Sequence, residues 1–202
     1  MNEFESGLLK YLTQEQLFKI QRTKVGIAGC GGLGSNIANA LVRTGFKDFE
    51  IIDNDKVEAN NLNRQNFFLD EVGDKKIEAT AKRMKQINPD VKVKAFKTYL
   101  TSDNVQEFFN DRNVVFEAFD NVKSKKLMLE TFGDSGKLLV LGSGMAGISN
   151  KTLINIHKVK ENIYIVGDET TNVGKDNPPL APRVIACAAM MASVAVEIIL
   201  TK

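Results

Sequence analysis

Short runs of apolar residues alternate along the chain with longer segments in which apolar residues recur every three to four positions. The first pattern is typical of buried strands, and the second is typical of helices that pack one face on a core. The runs predict strands at residues 24–28, 49–52, 91–99, 114–116 and 138–141. The periodic segments predict helices at residues 33–44, 75–88 and 123–132, and a shorter one that begins near Ser102 and ends at Phe109. This alternation predicts an α/β fold with a doubly wound, mostly parallel sheet.

The two ends of the chain add further elements to this core. Residues 3–21 carry apolar positions at helical spacing and predict one amphipathic helix. Two apolar runs after residue 150 predict a β-hairpin, and the apolar segment 184–200 predicts a long final helix. We therefore predict a single domain over residues 1–202, with a core at 23–142 and the hairpin and helix at 150–201.

The composition and charge of the chain limit the classes of function that we expect. The 202 residues carry a formal net charge of +2, which favours neither nucleic acid nor a membrane surface as the main partner. No segment is expected to reach the ~18 apolar residues that a membrane span requires. The first residues lack the basic and apolar regions of a secretion signal, so we expect a cytoplasmic protein.

Cysteine and histidine are too few for a structural metal centre. The two cysteines, Cys30 and Cys187, are 157 positions apart, and no Cys-x-x-Cys pair occurs. We therefore expect no zinc. The single histidine, His157, also excludes any mechanism that needs two histidines.

A glycine-rich motif follows the first predicted strand and opens the next predicted helix. Its residues are Gly29-Cys30-Gly31-Gly32-Leu33-Gly34. In this context the first glycine permits a tight turn, Gly31 lets backbone N–H groups approach a phosphate, and Gly34 lets the helix pack on the strand. Asp53 ends the second strand, where a carboxylate can bind a ribose hydroxyl. The motif predicts a Rossmann-like nucleotide site.

Further charged residues are expected at the same edge of the sheet. Ligands of doubly wound sheets bind at the carboxyl ends of the strands, where Asp120 follows the fourth strand. A polar insert at residues 54–73 leaves from this edge and carries Arg64. Lys75 and Lys76 lie in the first turn of a helix, where cations oppose the helix dipole, and this suggests a functional position. Arginine, lysine and aspartate around a phosphate loop suit triphosphate chemistry, which hydride transfer from NAD does not need.

Four blocks of sequence resemble the ThiF/MoeB superfamily, which is related to the ubiquitin-activating enzymes. The first block is the glycine motif, and the others are Asp53-Asn54-Asp55 with Asn61-Leu62-Asn63-Arg64-Gln65, then Gly73-Asp74-Lys75-Lys76 with Ile87-Asn88-Pro89, and finally Asp120-Asn121. The resemblance implies an enzyme, an adenylyltransferase that uses ATP and Mg²⁺ to adenylate the C-terminal glycine carboxylate of a ubiquitin-like protein and releases pyrophosphate.

The resemblance also implies a role for each matching residue. Asp53 would bind the ATP ribose, and Asn61 and Arg64 would contact the phosphates. Lys76 would neutralise the leaving pyrophosphate, and Asp120 would bind Mg²⁺ or orient the nucleotide. The implied catalytic residues are Arg64, Lys76 and Asp120. The implied nucleotide-binding set is Gly29, Gly31, Gly32, Gly34, Asp53, Asp55, Asn61, Arg64, Lys76 and Asn121.

The chain departs from longer members of the superfamily because it lacks their zinc cysteines and the cysteine of their later loop. The short form resembles the truncated ThiF branch of thiamine biosynthesis. It implies a ThiS-like sulfur carrier with a C-terminal Gly-Gly as partner, and a homodimer. Three alternatives remain open: a non-catalytic scaffold that binds nucleotide and carrier, an NAD-dependent oxidoreductase, and adenylation of an RNA-attached carboxylate.

Overall fold

The computed structural model of the chain describes residues 1–148 and 153–201. Its strands are β1 (Lys24–Ala28), β2 (Asp48–Ile52), β3 (Lys92–Phe96), β4 (Val114–Glu117), β5 (Leu138–Gly142), β6 (Asn155–Lys160) and β7 (Ile163–Gly167). Its helices are α1 (Glu3–Leu8), α2 (Gln14–Arg22), α3 (Gly32–Thr44), α4 (Lys76–Ile87), α5 (Val122–Phe132) and α6 (Ala181–Thr201). Single turns of 3₁₀-helix lie at Ala59–Asn61, Leu69–Glu71 and Val105–Glu107.

The seven strands of the described residues join one sheet in the order β3-β2-β1-β4-β5-β7-β6. Every neighbouring pair is parallel except β6 and β7, which form the antiparallel hairpin. The predicted Rossmann-like, doubly wound and mostly parallel sheet with a C-terminal hairpin and long helix is therefore confirmed. The chain reverses its direction across the sheet between β1 and β4, and such a switch point is where doubly wound sheets bind ligands.

Two helical layers cover the sheet because its central strands are apolar on both faces. On one face α3, α4 and α6 pack together, with Ile37 and Leu41 of α3 and Met191 of α6 fully buried. On the other face α5 contributes Met128 and Phe132. Parallel strands covered in this way lose water from both faces, which explains the continuous apolar runs in the sequence.

Two predicted helices differ from those observed. Residues 3–21 form two helices because Thr13 starts a new one with a capping box: its side chain accepts from the Gln16 N–H, and the Gln16 side chain accepts from the Thr13 N–H. The helix predicted to end at Phe109 is only the 3₁₀ turn Val105–Glu107, whose N-cap residue Asn104 makes no side-chain capping hydrogen bond to the turn. Phe109 itself has a left-handed φ of 60°.

The final helix corrects the expectation that no segment could span a membrane. By length and composition α6 qualifies, with a mean hydropathy of 2.2 over its most apolar window, of which 39% is buried. In this structure α6 packs on α3 and β5, and a core helix of a soluble protein passes the same test of composition. Part of the predicted C-terminal unit, residues 150–152, lies outside the described residues.

Candidate nucleotide site

The glycine-rich loop connects β1 to α3 through a turn that only small residues can make. Gly29 has a φ of 98°, in the left-handed region that favours glycine. A Cβ on Gly34 would lie 1.8 Å from the Gly29 carbonyl oxygen, so no side chain fits there. Gly31 caps α3 without any side-chain hydrogen bond. The first turn of α3 therefore offers backbone N–H donors and the positive end of the helix dipole, as an anion site requires.

Asp53 joins the end of β2 to this loop. One carboxylate oxygen accepts from the Cys30 N–H at 2.6 Å, and the other accepts from the Asp55 N–H at 2.7 Å. The residue is 7% exposed, and burial raises its pKa although both hydrogen bonds lower it. The structure thus places Asp53 against the glycine loop, where it fixes the loop. Its contact with a ribose stays a prediction.

Lys76 and Asp55 form an ion pair beside the loop. The ammonium lies 2.8 Å from the Asp55 carboxylate, and the lysine side chain is 9% exposed whereas that of Asp55 is 55% exposed. Lys75, the N-cap of α4, pairs in turn with Glu78 at 2.5 Å. The two lysines at this helix start are therefore compensated, contrary to the expectation that they oppose the dipole without a partner. Asp55 holds Lys76 in place, so it acts here as a positioning residue.

The insert brings Arg64 to the loop but turns Asn61 inward. The aliphatic part of Arg64 lies 3.7 Å from the position that a Cβ on Gly32 would occupy. Its guanidinium donates to the Asn63 side chain at 2.8 Å and to the Asn60 carbonyl at 3.1 Å. The side-chain amide of Asn61 accepts from the Glu58 N–H and donates to the Asn60 side chain. Its hydrogen bonds therefore close the local turn and do not point to the glycine loop.

Two predicted residues follow β4 at the same edge. Asp120 is exposed. The Asn121 side chain caps α5 by accepting from the Ser124 N–H at 2.8 Å. This capping hydrogen bond gives Asn121 a structural role. Within the described ranges no group of three or more metal-ligating side chains gathers at one place. A single carboxylate such as Asp120 suits Mg²⁺ that is bound mainly by phosphates and water.

Glu117 and Lys125 belong to this site and were missed from the sequence. Glu117 ends β4 and is fully buried, and its carboxylate lies 2.8 Å from the Lys125 ammonium. The same two residues bond to the N–H and the carbonyl of Phe119, which fixes the loop that carries Asp120. Burial raises the pKa of Glu117, although Lys125 lowers it. The sequence feature that could have identified Glu117 is its position as a carboxylate directly after the apolar run 114–116.

The cysteines are not placed for chemistry. Both are fully buried, and burial raises the pKa of the Cys30 thiol and raises that of Cys187 to about 12. A thiol that stays protonated at neutral pH is a poor nucleophile. Cys187 lies in α6 as a small residue of the main hydrophobic core.

These features define an α/β protein with an anion-binding glycine loop at the switch point of its sheet. The amino-acid sequence of the whole domain identifies the family more specifically than these structural features do. The model of the ThiF family matches residues 6–202, and the chain belongs to that family. The resemblance to the ThiF/MoeB superfamily is thereby confirmed.

Individual relatives differ in their substrates. The chain is 34% identical over 126 residues to the sulfur carrier protein adenylyltransferase of Thermus thermophilus, and this covers 62% of the chain and 46% of that protein. It is 34% identical over 139 residues to the tRNA threonylcarbamoyladenosine dehydratase of Escherichia coli, covering 68% and 52%. The solved ATP complex of that dehydratase matches with a TM-score of 0.87 and 25% identity, over 98% of this chain and 94% of the other. The chain spans about half of the length of these two curated relatives.

Proposed function

We propose that the protein uses ATP to adenylate a carboxylate, releasing pyrophosphate. The observation that carries this proposal is the pair of cations at the glycine loop. Arg64 lies along Gly32, and Lys76 is held beside the loop by Asp55. A site for NAD needs the loop and Asp53 but leaves both cations without a role. ATP is also the ligand of the matched dehydratase structure.

The reaction follows from this placement of charge. A carboxylate oxygen of the substrate attacks the α-phosphorus of ATP, a new P–O bond forms, and the bond to the bridging oxygen of the β-phosphate breaks. The electron pair leaves with pyrophosphate, whose charge Arg64 and Lys76 neutralise. No general base is needed because a carboxylate is ionised at neutral pH. The absence of a second histidine is therefore no obstacle.

Magnesium fits the residues of the site without a dedicated protein cage. Mg²⁺ usually binds one or two carboxylates together with substrate phosphates and water. Asp120 would supply the carboxylate, and Glu117 and Lys125 hold its loop in place. When bound, the ion neutralises phosphate charge and orients the phosphates.

The C-terminal glycine of a ThiS-like sulfur carrier protein is the substrate that we favour. The Thermus relative is named for a sulfur carrier protein, and two relatives among the fungi are named adenylyltransferase and sulfurtransferase. A net charge of +2 also gives the chain little general attraction for RNA. An RNA-attached carboxylate is the second candidate, because the dehydratase structure matches nearly the whole chain.

The first test is ATP–pyrophosphate exchange with Mg²⁺, with and without a ThiS-like protein that ends in Gly-Gly. We expect carrier-dependent exchange that falls about 100-fold or more in Lys76→Met, the scale of losing one positioned charge at a transition state. Lys75→Met is the matched control, since its ammonium is exposed and pairs with Glu78. That control should stay within about twofold.

Other outcomes of this assay would redirect the proposal. No exchange with the carrier, but exchange in the presence of a tRNA that bears a carboxylate, would favour the second candidate. ATP binding without exchange on either substrate would contradict adenylation and favour a scaffold. Equal losses in the two lysine variants would contradict the role given to Lys76.

A further inference from the structure

Asn63 connects the insert to the loop at 168–180, which we call the later loop. Its Nδ2 atom donates to the carbonyl of Pro179 at 3.1 Å, and its own carbonyl accepts from the Ala181 N–H at 3.1 Å. Its Oδ1 atom accepts from the Arg64 guanidinium at 2.8 Å. One residue therefore joins the end of the later loop and the start of α6 to a cation of the candidate nucleotide site.

The insert side of this connection is held by α3. The carbonyl of Arg64 accepts from the Asn36 side chain at 2.9 Å, and the N–H of Asn66 donates to the Ser35 hydroxyl at 3.0 Å. Both partners lie in the first turns of α3, immediately after the glycine motif. The backbone that carries Arg64 is thus fixed beside the glycine loop, and Asn63 directs the guanidinium from the adjacent position.

The other side of the connection reaches the segment that follows β5. Pro178 and Pro179 are neighbours, and each proline fixes its own φ and restricts the residue before it. The Pro178 carbonyl accepts from the Gly147 N–H at 3.0 Å. Gly147 follows β5 at the carboxyl edge of the sheet and has a left-handed φ of 92°. A stiff dipeptide therefore links the segment after β5 to Asn63.

The surroundings of Asn63 indicate a role other than stabilising the fold. The residue is exposed, so its hydrogen bonds compete with water and its substitution should change the free energy of unfolding little. The bond to Pro179 spans 116 positions and is not part of the local turn of the insert. An exposed side chain that joins two distant segments is suited to fixing their relative position.

We propose that Asn63 is a positioning residue, which holds the later loop relative to Arg64 so that the carboxylate substrate and the phosphates of ATP are aligned. This deepens the proposed function and rests on it in one respect, which is that Arg64 faces the phosphates while the carboxylate lies by the later loop. Alignment matters most when the nucleophile is as weak as a carboxylate. Asn63 acts through Arg64 and the loop and needs no contact with either substrate.

The first measurement is amide hydrogen exchange by NMR at Gly147 and Ala181, whose N–H groups donate to Pro178 and Asn63. Asn63→Ala removes both side-chain hydrogen bonds and keeps the backbone carbonyl. We expect hydrogen exchange at the two amides to become about fivefold faster, because the later loop separates from the insert more often. The melting temperature should stay within about 2 °C of wild type.

Asn39→Ala is the matched control. Asn39 also accepts from an arginine guanidinium, that of Arg43 at 3.1 Å, but both residues lie within α3. Loss of this contact removes an asparagine–arginine hydrogen bond without touching the connection to the later loop. Hydrogen exchange at Gly147 and Ala181 should therefore stay within about twofold of wild type in this variant.

Added ATP distinguishes a positioning role from a local structural one. Phosphates that restrain Arg64 should also restrain the later loop, so ATP should slow hydrogen exchange at Gly147 about fivefold in wild type. This protection should be lost in Asn63→Ala. In the pyrophosphate assay the same variant should raise the KM for the carrier and lower kcat, with kcat/KM falling about tenfold. Asn39→Ala should match wild type in both assays.

The results that would contradict this inference differ from those that would contradict the proposed function. Hydrogen exchange at Gly147 that ATP does not change, although the wild-type chain binds ATP, would overturn the inference and leave the proposed function intact. Unchanged hydrogen exchange and kinetics in Asn63→Ala, or equal changes in Asn39→Ala, would also overturn it. No carrier-dependent pyrophosphate exchange by the wild-type chain would overturn the proposed function, and hydrogen exchange with and without ATP would still decide whether Asn63 couples Arg64 to the later loop.

Discussion

The insert at 54–73 and the loop at 168–180 both leave the carboxyl edge of the sheet, yet they are held in different ways. The insert has its own small hydrophobic core, in which Val57 and Phe67 pack against Ala79 of α4. The later loop is fixed mainly at its two ends. Asp168 starts it and forms an ion pair with Arg183 of α6 at 2.7 Å, whereas residues 172–177 are exposed.

This difference assigns separate tasks to the two segments. An insert with a core and buried ion pairs can hold side chains at fixed positions, as the binding of phosphates requires. Segments with few buried contacts open more easily and are common where large substrates bind. We therefore expect the insert to serve the nucleotide and the later loop to lie on the side of the carboxylate substrate.

The largest expected effect concerns the ion pair that anchors the insert to α4. Arg83 donates two hydrogen bonds to one oxygen of the Glu71 carboxylate, at 2.6 and 2.9 Å, and its guanidinium lies 3.6 Å from the centre of the Phe68 ring. Both ionic side chains are at most 10% exposed. Glu71→Ala leaves Arg83 buried without its counter-charge, so we expect a loss of about 3–5 kcal/mol in the free energy of unfolding, measured in urea.

Glu78→Ala provides the comparison for that measurement. Glu78 also pairs with a cation of the same helix region, but its side chain is 59% exposed and that of Lys75 is 41% exposed. Exposed pairs contribute at most about 1 kcal/mol. Similar losses in the two variants would show that the insert is not anchored through Glu71.

A smaller effect, with a defined pH dependence, is expected at the start of the later loop. Burial alone would raise the pKa of Asp168, but hydrogen bonds from the backbone and hydroxyl groups of Thr170 and Thr171 lower it to about 2. The folded pKa lies below the unfolded value near 3.9, so the ionised group stabilises the fold above about pH 4. This stabilisation is lost as the pH falls through 2.

Asp168→Asn should therefore lower the free energy of unfolding by about 2.5 kcal/mol at pH 7. The difference between wild type and variant should shrink as the pH falls from 4 to 2. Urea titrations at pH 7, 4 and 3 measure it, and the subtraction removes the carboxylates common to both proteins. A difference that stays constant over this range would contradict the assigned pKa.

The sequence was sufficient for the parts of the fold and site that depend on local order. The apolar runs predicted the strands of the sheet, and the spacing of the glycines predicted the loop and the helix after it. Asp53 was predicted at the loop because the end of β2 must lie beside the end of β1 in a parallel sheet. Periodicity and adjacency determine these features.

Contacts between distant polar residues could not be predicted in the same way. Lys76 forms an ion pair with Asp55, which lies 21 positions earlier in the sequence. Glu71 forms one with Arg83, although the sequence around each of these two residues is polar and does not indicate burial. Hydropathy cannot distinguish a charged residue that is exposed from one that is buried with a partner. By contrast, the capping box at Thr13 was readable as a Thr-x-x-Gln motif.

The smallest effects are expected from a pair of glycines that compare the two segments directly. A Cβ added to Gly73 of the insert or to Gly174 of the later loop would meet no atom of the described residues within 4 Å, so a methyl group fits at both positions. Of the two, Gly73 alone has a left-handed backbone, with a φ of 98°. Gly73→Ala should therefore cost about 1–2 kcal/mol from the backbone alone. Gly174→Ala should change stability by less than about 0.5 kcal/mol.

Thermal unfolding of the two variants, together with ATP titration, tests whether backbone strain in the insert reaches the nucleotide site. If the insert behaves as one rigid piece, Gly73→Ala weakens ATP binding because its strain is shared with the turn that carries Arg64. A variant that loses stability but binds ATP as wild type does would show that the end of the insert deforms without displacing the nucleotide site. The rigid unit would then be limited to the segment that α3 holds, from Arg64 to Asn66.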